Sequence, residues 1–78
     1  MYTIYTQDRC GYCSMAKHIM VKNDIDFMEI NISYDPQARS LIKSMGFKTV
    51  PQIFDDDKNH IGGYTELFEI YSKKDGTN

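Results

Sequence analysis

Cys10-Gly11-Tyr12-Cys13 is the stretch on which the fold turns. It holds both cysteines of the 78-residue chain, in C-x-x-C spacing, between a strand-like run and a helix-like run. Upstream, Tyr2-Thr3-Ile4-Tyr5-Thr6 is β-branched or aromatic at every position, which favours a strand. Gln7, Asp8 and Arg9 form a polar break. Downstream, Met15, Ala16, Ile19 and Met20 recur at helical spacing, with Lys17, His18 and Lys22 on the other faces. A helix is therefore expected from the motif to about Asn23, with Gly11 and Tyr12 in its first turn.

Working outward, residues 26–32 read as a second strand, with Phe27, Met28, Ile30 and Ile32 among its apolar members. Asp35 can then cap a helix whose N1 position is Pro36, where the missing N–H costs nothing. Ala38, Leu41, Ile42 and Met45 repeat at i, i+3, i+4 and i+7, and Gly46 supplies a left-handed stop. Strand, helix, strand, helix at these lengths imply a right-handed βαβ unit with a parallel strand pair. Pro51 keeps a central strand from starting before Gln52. Residues 55–59 (Asp-Asp-Asp-Lys-Asn) read as a solvated turn, since the EF-hand calcium pattern is absent. His60-Ile61 begins a short return strand ending at Gly62-Gly63, and Thr65 can cap a last helix that turns Leu67, Phe68, Ile70 and Tyr71 inward. Residues 1–72 are thus one domain and 73–78 a polar tail.

The chain is near the lower size at which a domain folds unaided. Its 41% hydrophobic and 26% charged residues are those of an ordinary globule, and a net charge of −2 without a basic stripe argues against nucleic acid. There is no apolar run of membrane-spanning length and no secretion-type leader, so a cytoplasmic, membrane-free protein is expected. Two neighbouring cysteines close too short a loop to brace a fold, which leaves them for chemistry. In a reducing compartment that chemistry is catalytic or metal-binding.

A tetrahedral zinc site wants four ligands, and beyond the cysteines only His18 and His60 remain, neither at knuckle spacing. Two incidental buried thiols are the bland alternative. A redox dithiol needs only what is present. A cysteine at a helix N-terminus is favoured as thiolate by free N–H groups and the helix dipole. Cys10 has that position and Cys13 lies one turn inside, so Cys10 is expected to attack and Cys13 to resolve. Arg9 and Lys48 are candidates for nearby positive charge. No metal is expected.

Three blocks give the chain a family likeness: Ile4-Tyr5-Thr6 with Cys10-Gly11-Tyr12-Cys13, then Thr49-Val50-Pro51-Gln52-Ile53-Phe54, then Ile61-Gly62-Gly63-Tyr64. In this order and spacing the chain resembles the glutaredoxin family along nearly all its length. The resemblance implies an α/β, thioredoxin-like fold: a four-stranded mixed sheet in the order 2-1-3-4 flanked by three helices. It implies a cis Val50–Pro51 bond beside the site. It also implies glutathione as reducing co-substrate, lying extended along the Val50 backbone with its sulfur over Cys10. Its γ-glutamyl end would fall to the start of the last helix, here Thr65 and Glu66, and its glycyl carboxylate to cations, Lys48 first, then Arg9 and Arg39. The binding set so implied is Arg9, Tyr12, Lys48, Thr49, Val50, Pro51, Gly63, Thr65 and Glu66.

Three positions depart from the family pattern. Gln7 stands where relatives often have lysine, Glu66 where they often have aspartate, and Gly11 where the common dithiol motif has proline. The implied activity is glutathione-dependent reduction of protein disulfides and glutathione mixed disulfides by a monomer, with ribonucleotide reductase a client by resemblance. Two alternatives stand beside it. One is an electron donor to ribonucleotide reductase fed by thioredoxin reductase, whose relatives carry a tryptophan block that this tryptophan-free chain lacks. The other is a carrier of an iron–sulfur cluster ligated with glutathione.

Overall fold

A computed structural model of the chain describes residues 1–75. Chain order is β1 (Tyr2–Thr6), α1 (Gly11–Lys22), β2 (Phe27–Asn31), α2 (Pro36–Ser44), β3 (Gln52–Phe54), β4 (His60–Gly62) and α3 (Tyr64–Asp75). The strands form one mixed sheet in the order β2-β1-β3-β4. β1 and β2 run parallel, with Tyr2 opposite Phe27 and Thr6 opposite Asn31. The β1–β3 and β3–β4 pairs are antiparallel, with Ile4 opposite Ile53 and Ile53 opposite Gly62. This is the thioredoxin-like arrangement expected from the three sequence blocks.

Strand alternation divides the core in two. Ile4 and Ile53 are fully buried against Ala16 and Met20 of α1 and Leu67 of α3. Tyr5 and Ile30 face the other way and pack with Ala38 and Ile42 of α2. Each helix therefore buries one stripe, at the spacing of residues 13, 16 and 20 in α1 and of residues 38 and 42 in α2.

Local signals set the ends of α2. Asp35 Oδ1 accepts the Ala38 N–H at 3.0 Å, and Pro36 opens the helix. At the other end Gly46 has φ +88, its N–H reaches Lys43 O at 2.9 Å, and the Phe47 N–H reaches Ile42 O at 3.2 Å. That pair of bonds is a Schellman stop, and the left-handed backbone it needs suits glycine. It delivers the chain directly into residues 47–51, which form one wall of the site.

Two helix faces differ from the periodic reading. Leu41 of α2 and Met45, its C-cap, are exposed, because Ala38 and Ile42 alone of the helix are buried against the sheet. In α3 the inward stripe is Tyr64, Leu67 and Tyr71, whereas Phe68 and Ile70 are exposed. Tyr71 also meets Tyr2 through its hydroxyl at 2.9 Å, and this bond together with burial pushes the Tyr2 phenol up to about 12. α3 continues to Asp75, so residues 73–75, expected in the tail, are helical; residues 76–78 lie outside the described residues. No helix among the described residues is long and apolar enough to cross a membrane.

Candidate active site

The site is assembled where α1 and α3 begin, on either side of residues 47–51. Cys10 is the N-cap of α1. Its backbone is extended (φ −109°, ψ 100°), and its sulfur accepts the Cys13 N–H at 3.1 Å. Cys10 and Cys13 are disulfide-bonded. The two sulfurs are unequal in position: Cys13 is 2% exposed, whereas Cys10 is half-buried and reaches the surface. The first turn of α1 carries no acidic residue, so no carboxylate competes for its free N–H groups.

Val50 and Pro51 face Cys10 and are joined by the cis peptide bond that the family likeness implied. The Val50 carbonyl oxygen lies 3.7 Å from Cys10 Sγ; a disulfide sulfur has no proton to donate, so this is a contact rather than a hydrogen bond. Beyond them opens a cleft of about 630 Å³. Thr49, Val50 and Pro51 form one wall, Gly63, Thr65 and Glu66 the other, and Tyr12 stands at the rim. The Tyr12 ring, 62% exposed, meets the Tyr64 ring at 5.6 Å between centroids.

The start of α3 differs from the sequence expectation. Gly63, not Thr65, occupies the cap position, since its carbonyl accepts the Leu67 N–H at 3.1 Å. Glu66, three residues on, turns its carboxylate back to accept the Gly63 N–H at 2.7 Å, the acidic half of a capping box. That bond, with a second from its own N–H, holds the Glu66 carboxyl below the usual glutamate range. Thr65 lies within the first turn and is exposed. Gly62 approaches so closely that a Cβ there would lie 2.7 Å from Glu66 Cγ, and its φ is +129.

The cations separate. Lys48 and Arg39 line a second cavity, of about 490 Å³, on the far side of Thr49 and Val50. Lys43, which spacing did not single out, lines it too, as does Gln7. Arg9 has φ +59 and lies instead in a shallow groove with Cys10, Cys13, Lys17 and Glu29. There Glu29 accepts from Thr6 Oγ1 at 2.7 Å and from Lys17 at 3.1 Å; the Thr6 bond first, and Lys17 second, hold its carboxyl low. Among the described residues no three His, Cys, Asp or Glu side chains gather as a metal site.

Sequence reasoning missed Gln52 and His60. Gln52 is 7% exposed, and both it and His60 line the cleft. The available signal was that Gln52 lies in the second block and His60 directly before the third, on two strands that pair.

The glutaredoxin family model matches residues 2–61. Glutaredoxin 3 of Escherichia coli K12 is 40% identical over 68 residues, covering 86% of this chain and 81% of that protein. The crystal structure of glutaredoxin 1 from Francisella tularensis is 38% identical and superposes with a TM-score of 0.77, over 94% of this chain and 93% of that one. A buckwheat glutaredoxin–glutathione complex, at 23% identity and a TM-score of 0.79 over 94% and 69% of the two chains, shares the fold. With an accessible sulfur at a helix start and its partner buried one turn inside, the chain belongs to the glutaredoxin family, the thiol–disulfide oxidoreductases of thioredoxin-like fold.

Proposed function

We propose that this oxidoreductase is glutathione-dependent, with Cys10 as nucleophile and Cys13 as resolving thiol. The observation that carries the assignment is the inequality of the pair. Cys10 Sγ is accessible and receives an N–H from the start of α1, which stabilises a thiolate, while Cys13 is 2% exposed and open only to intramolecular attack.

With a glutathione mixed disulfide, the Cys10 thiolate attacks the glutathione sulfur. A Cys10–glutathione bond forms, and the substrate leaves as thiolate and takes a proton. A second glutathione thiolate attacks the sulfur of the bound glutathione, forms glutathione disulfide and returns Cys10 as thiolate. With a protein disulfide, Cys10 forms the mixed disulfide and Cys13 displaces the substrate. The resulting Cys10–Cys13 bond, the state of this structure, is reduced by two glutathiones, which leave as glutathione disulfide.

The cleft suits the tripeptide. Residues 49–51 offer an extended backbone edge of the kind that holds peptides by main-chain bonds. The Glu66 carboxylate takes the Gly63 N–H and its own. The first turn of α3 then offers the N–H groups of Tyr64 and Thr65 to the γ-glutamyl carboxylate, with the Glu66 carboxylate beside them for its ammonium. Lys48 and Arg39 stand behind Thr49 and Val50 as partners for the glycyl carboxylate. The buckwheat protein of the same fold was solved as a glutathione complex.

The test compares reductants. Turnover of a disulfide substrate should be sustained by glutathione with glutathione reductase. It should not be sustained by NADPH with thioredoxin reductase; the reverse result would make the chain a thioredoxin-reductase-fed donor. Anaerobic incubation with iron and sulfide should leave the protein colourless, and a coloured dimer would assign it to cluster carriage.

A further inference from the structure

The loop between α2 and β3 presents the binding edge, yet its backbone is poorly held. Among the described residues, Lys48, Thr49 and Val50 donate no backbone–backbone hydrogen bond. Its anchors are side chains. Gln52 Nε2 donates to Thr49 O at 2.9 Å, and at a longer 3.5 Å to Thr49 Oγ1. Because a carbonyl can only accept, this orients the amide: its Oε1 points away, toward His60. His60 Nε2 lies 2.6 Å from Gln52 Oε1 and must therefore carry the proton. The same imidazole stacks on Phe47 at 4.4 Å and 27°, and meets Phe54 at 5.0 Å.

We propose that His60 is a positioning residue for the binding edge. From β4 it grips the loop at both ends, through the Phe47 ring and through Gln52 to the Thr49 carbonyl. Thr49 leads directly into Val50, whose carbonyl is the group 3.7 Å from Cys10 Sγ. Gln52 is buried, so its amide cannot exchange this partner for water without cost. His60 acts through the loop and performs no proton transfer. The proposal rests on the glutathione-dependent reading for its kinetic readout only.

His60→Phe keeps a ring to stack and removes the donor; His60→Gln restores an N–H donor. Using the mixed disulfide of glutathione and 2-mercaptoethanol, His60→Phe should raise KM about three- to tenfold while kcat stays within about twofold, the size of one lost hydrogen bond. His60→Gln should recover most of that loss. Gln52→Met should match His60→Phe, and the double variant should be no worse than either single, as for two links of one chain. Additive effects, or an unchanged KM in folded His60→Phe, would overturn the proposal. On the unmodified protein, imidazole ¹⁵N shifts should show Nε2 protonated; a neutral ring protonated only at Nδ1 would refute it. That measurement stands even if glutathione proves not to be the reductant.

Discussion

Two helices begin at this site and are capped in opposite ways. α1 is capped by a sulfur, and its first turn has no acidic residue; α3 is capped from within by the Glu66 carboxylate. Both caps satisfy N–H groups that a helix start leaves without partners. They differ in permanence. A carboxylate remains an acceptor at any pH above its titration, whereas the Cys10 sulfur changes between disulfide, mixed disulfide and thiolate during turnover. The positive end of α1 is thus given to the reacting atom. The end of α3 is held by a fixed group that also shapes the cleft wall.

The largest expected break in this comparison is at the α1 cap. Cys10→Ser should abolish turnover in a glutathione-coupled assay, while Cys13→Ser keeps much of the activity on glutathione mixed disulfides and loses that on protein disulfides. Activity surviving loss of Cys10 would sink the assignment.

At the α3 end, Gly62→Ala should destabilise the fold by about 1–3 kcal/mol, read from chemical denaturation. Its φ of +129 strains any other residue, and the new Cβ would strike Glu66 Cγ at 2.7 Å. An unchanged midpoint would mean that the α3 cap has more freedom than this geometry allows.

Gly11→Pro sharpens the contrast from the other direction. Position 11 opens α1, no atom lies within 4 Å of a Cβ built there, and Cys10 already has the extended backbone that a residue before proline requires. The variant should gain about 0.4–1 kcal/mol, chiefly by restricting the unfolded chain. A lower Tm would show that this turn uses the freedom of glycine.

The smallest effect is the pH dependence of the α3 cap. The folded Glu66 carboxyl titrates below its unfolded counterpart, so the cap stabilises the fold above the ordinary glutamate range. That contribution is lost as pH falls through the lowered folded value. Glu66 is exposed, which limits it to about 0.5 kcal/mol. Comparing Tm of the protein and of Glu66→Gln across acid pH should show two curves that converge on acidification; parallel curves would remove the carboxylate from the cap.

Short-range chemistry made much of this legible. The Asp35–Pro36 start and Gly46 stop of α2, the onset of β3 after Pro51, and Cys10 at the head of α1 all follow from groups within a few residues of one another. The likeness across three blocks brought the sheet order and the cis Val50–Pro51 bond with it. Thr65 was misplaced as a cap because its hydroxyl is the obvious acceptor. The structure instead uses a glycine, whose N–H the Glu66 side chain reaches from one turn away.

The residues therefore determined by themselves where α2 begins and ends, where β3 starts, and which sulfur opens a helix. Only the tertiary structure decided which side chains share a space. It set Lys48 with Arg39 and Lys43 while sending Arg9 to another groove, turned Phe68 and Ile70 outward, buried Cys13, and drew His60, Gln52 and Phe47 together. The physical reason is range. Caps and turns are settled by neighbours along the chain, whereas long side chains and helix faces are settled by the elements that pack across from them.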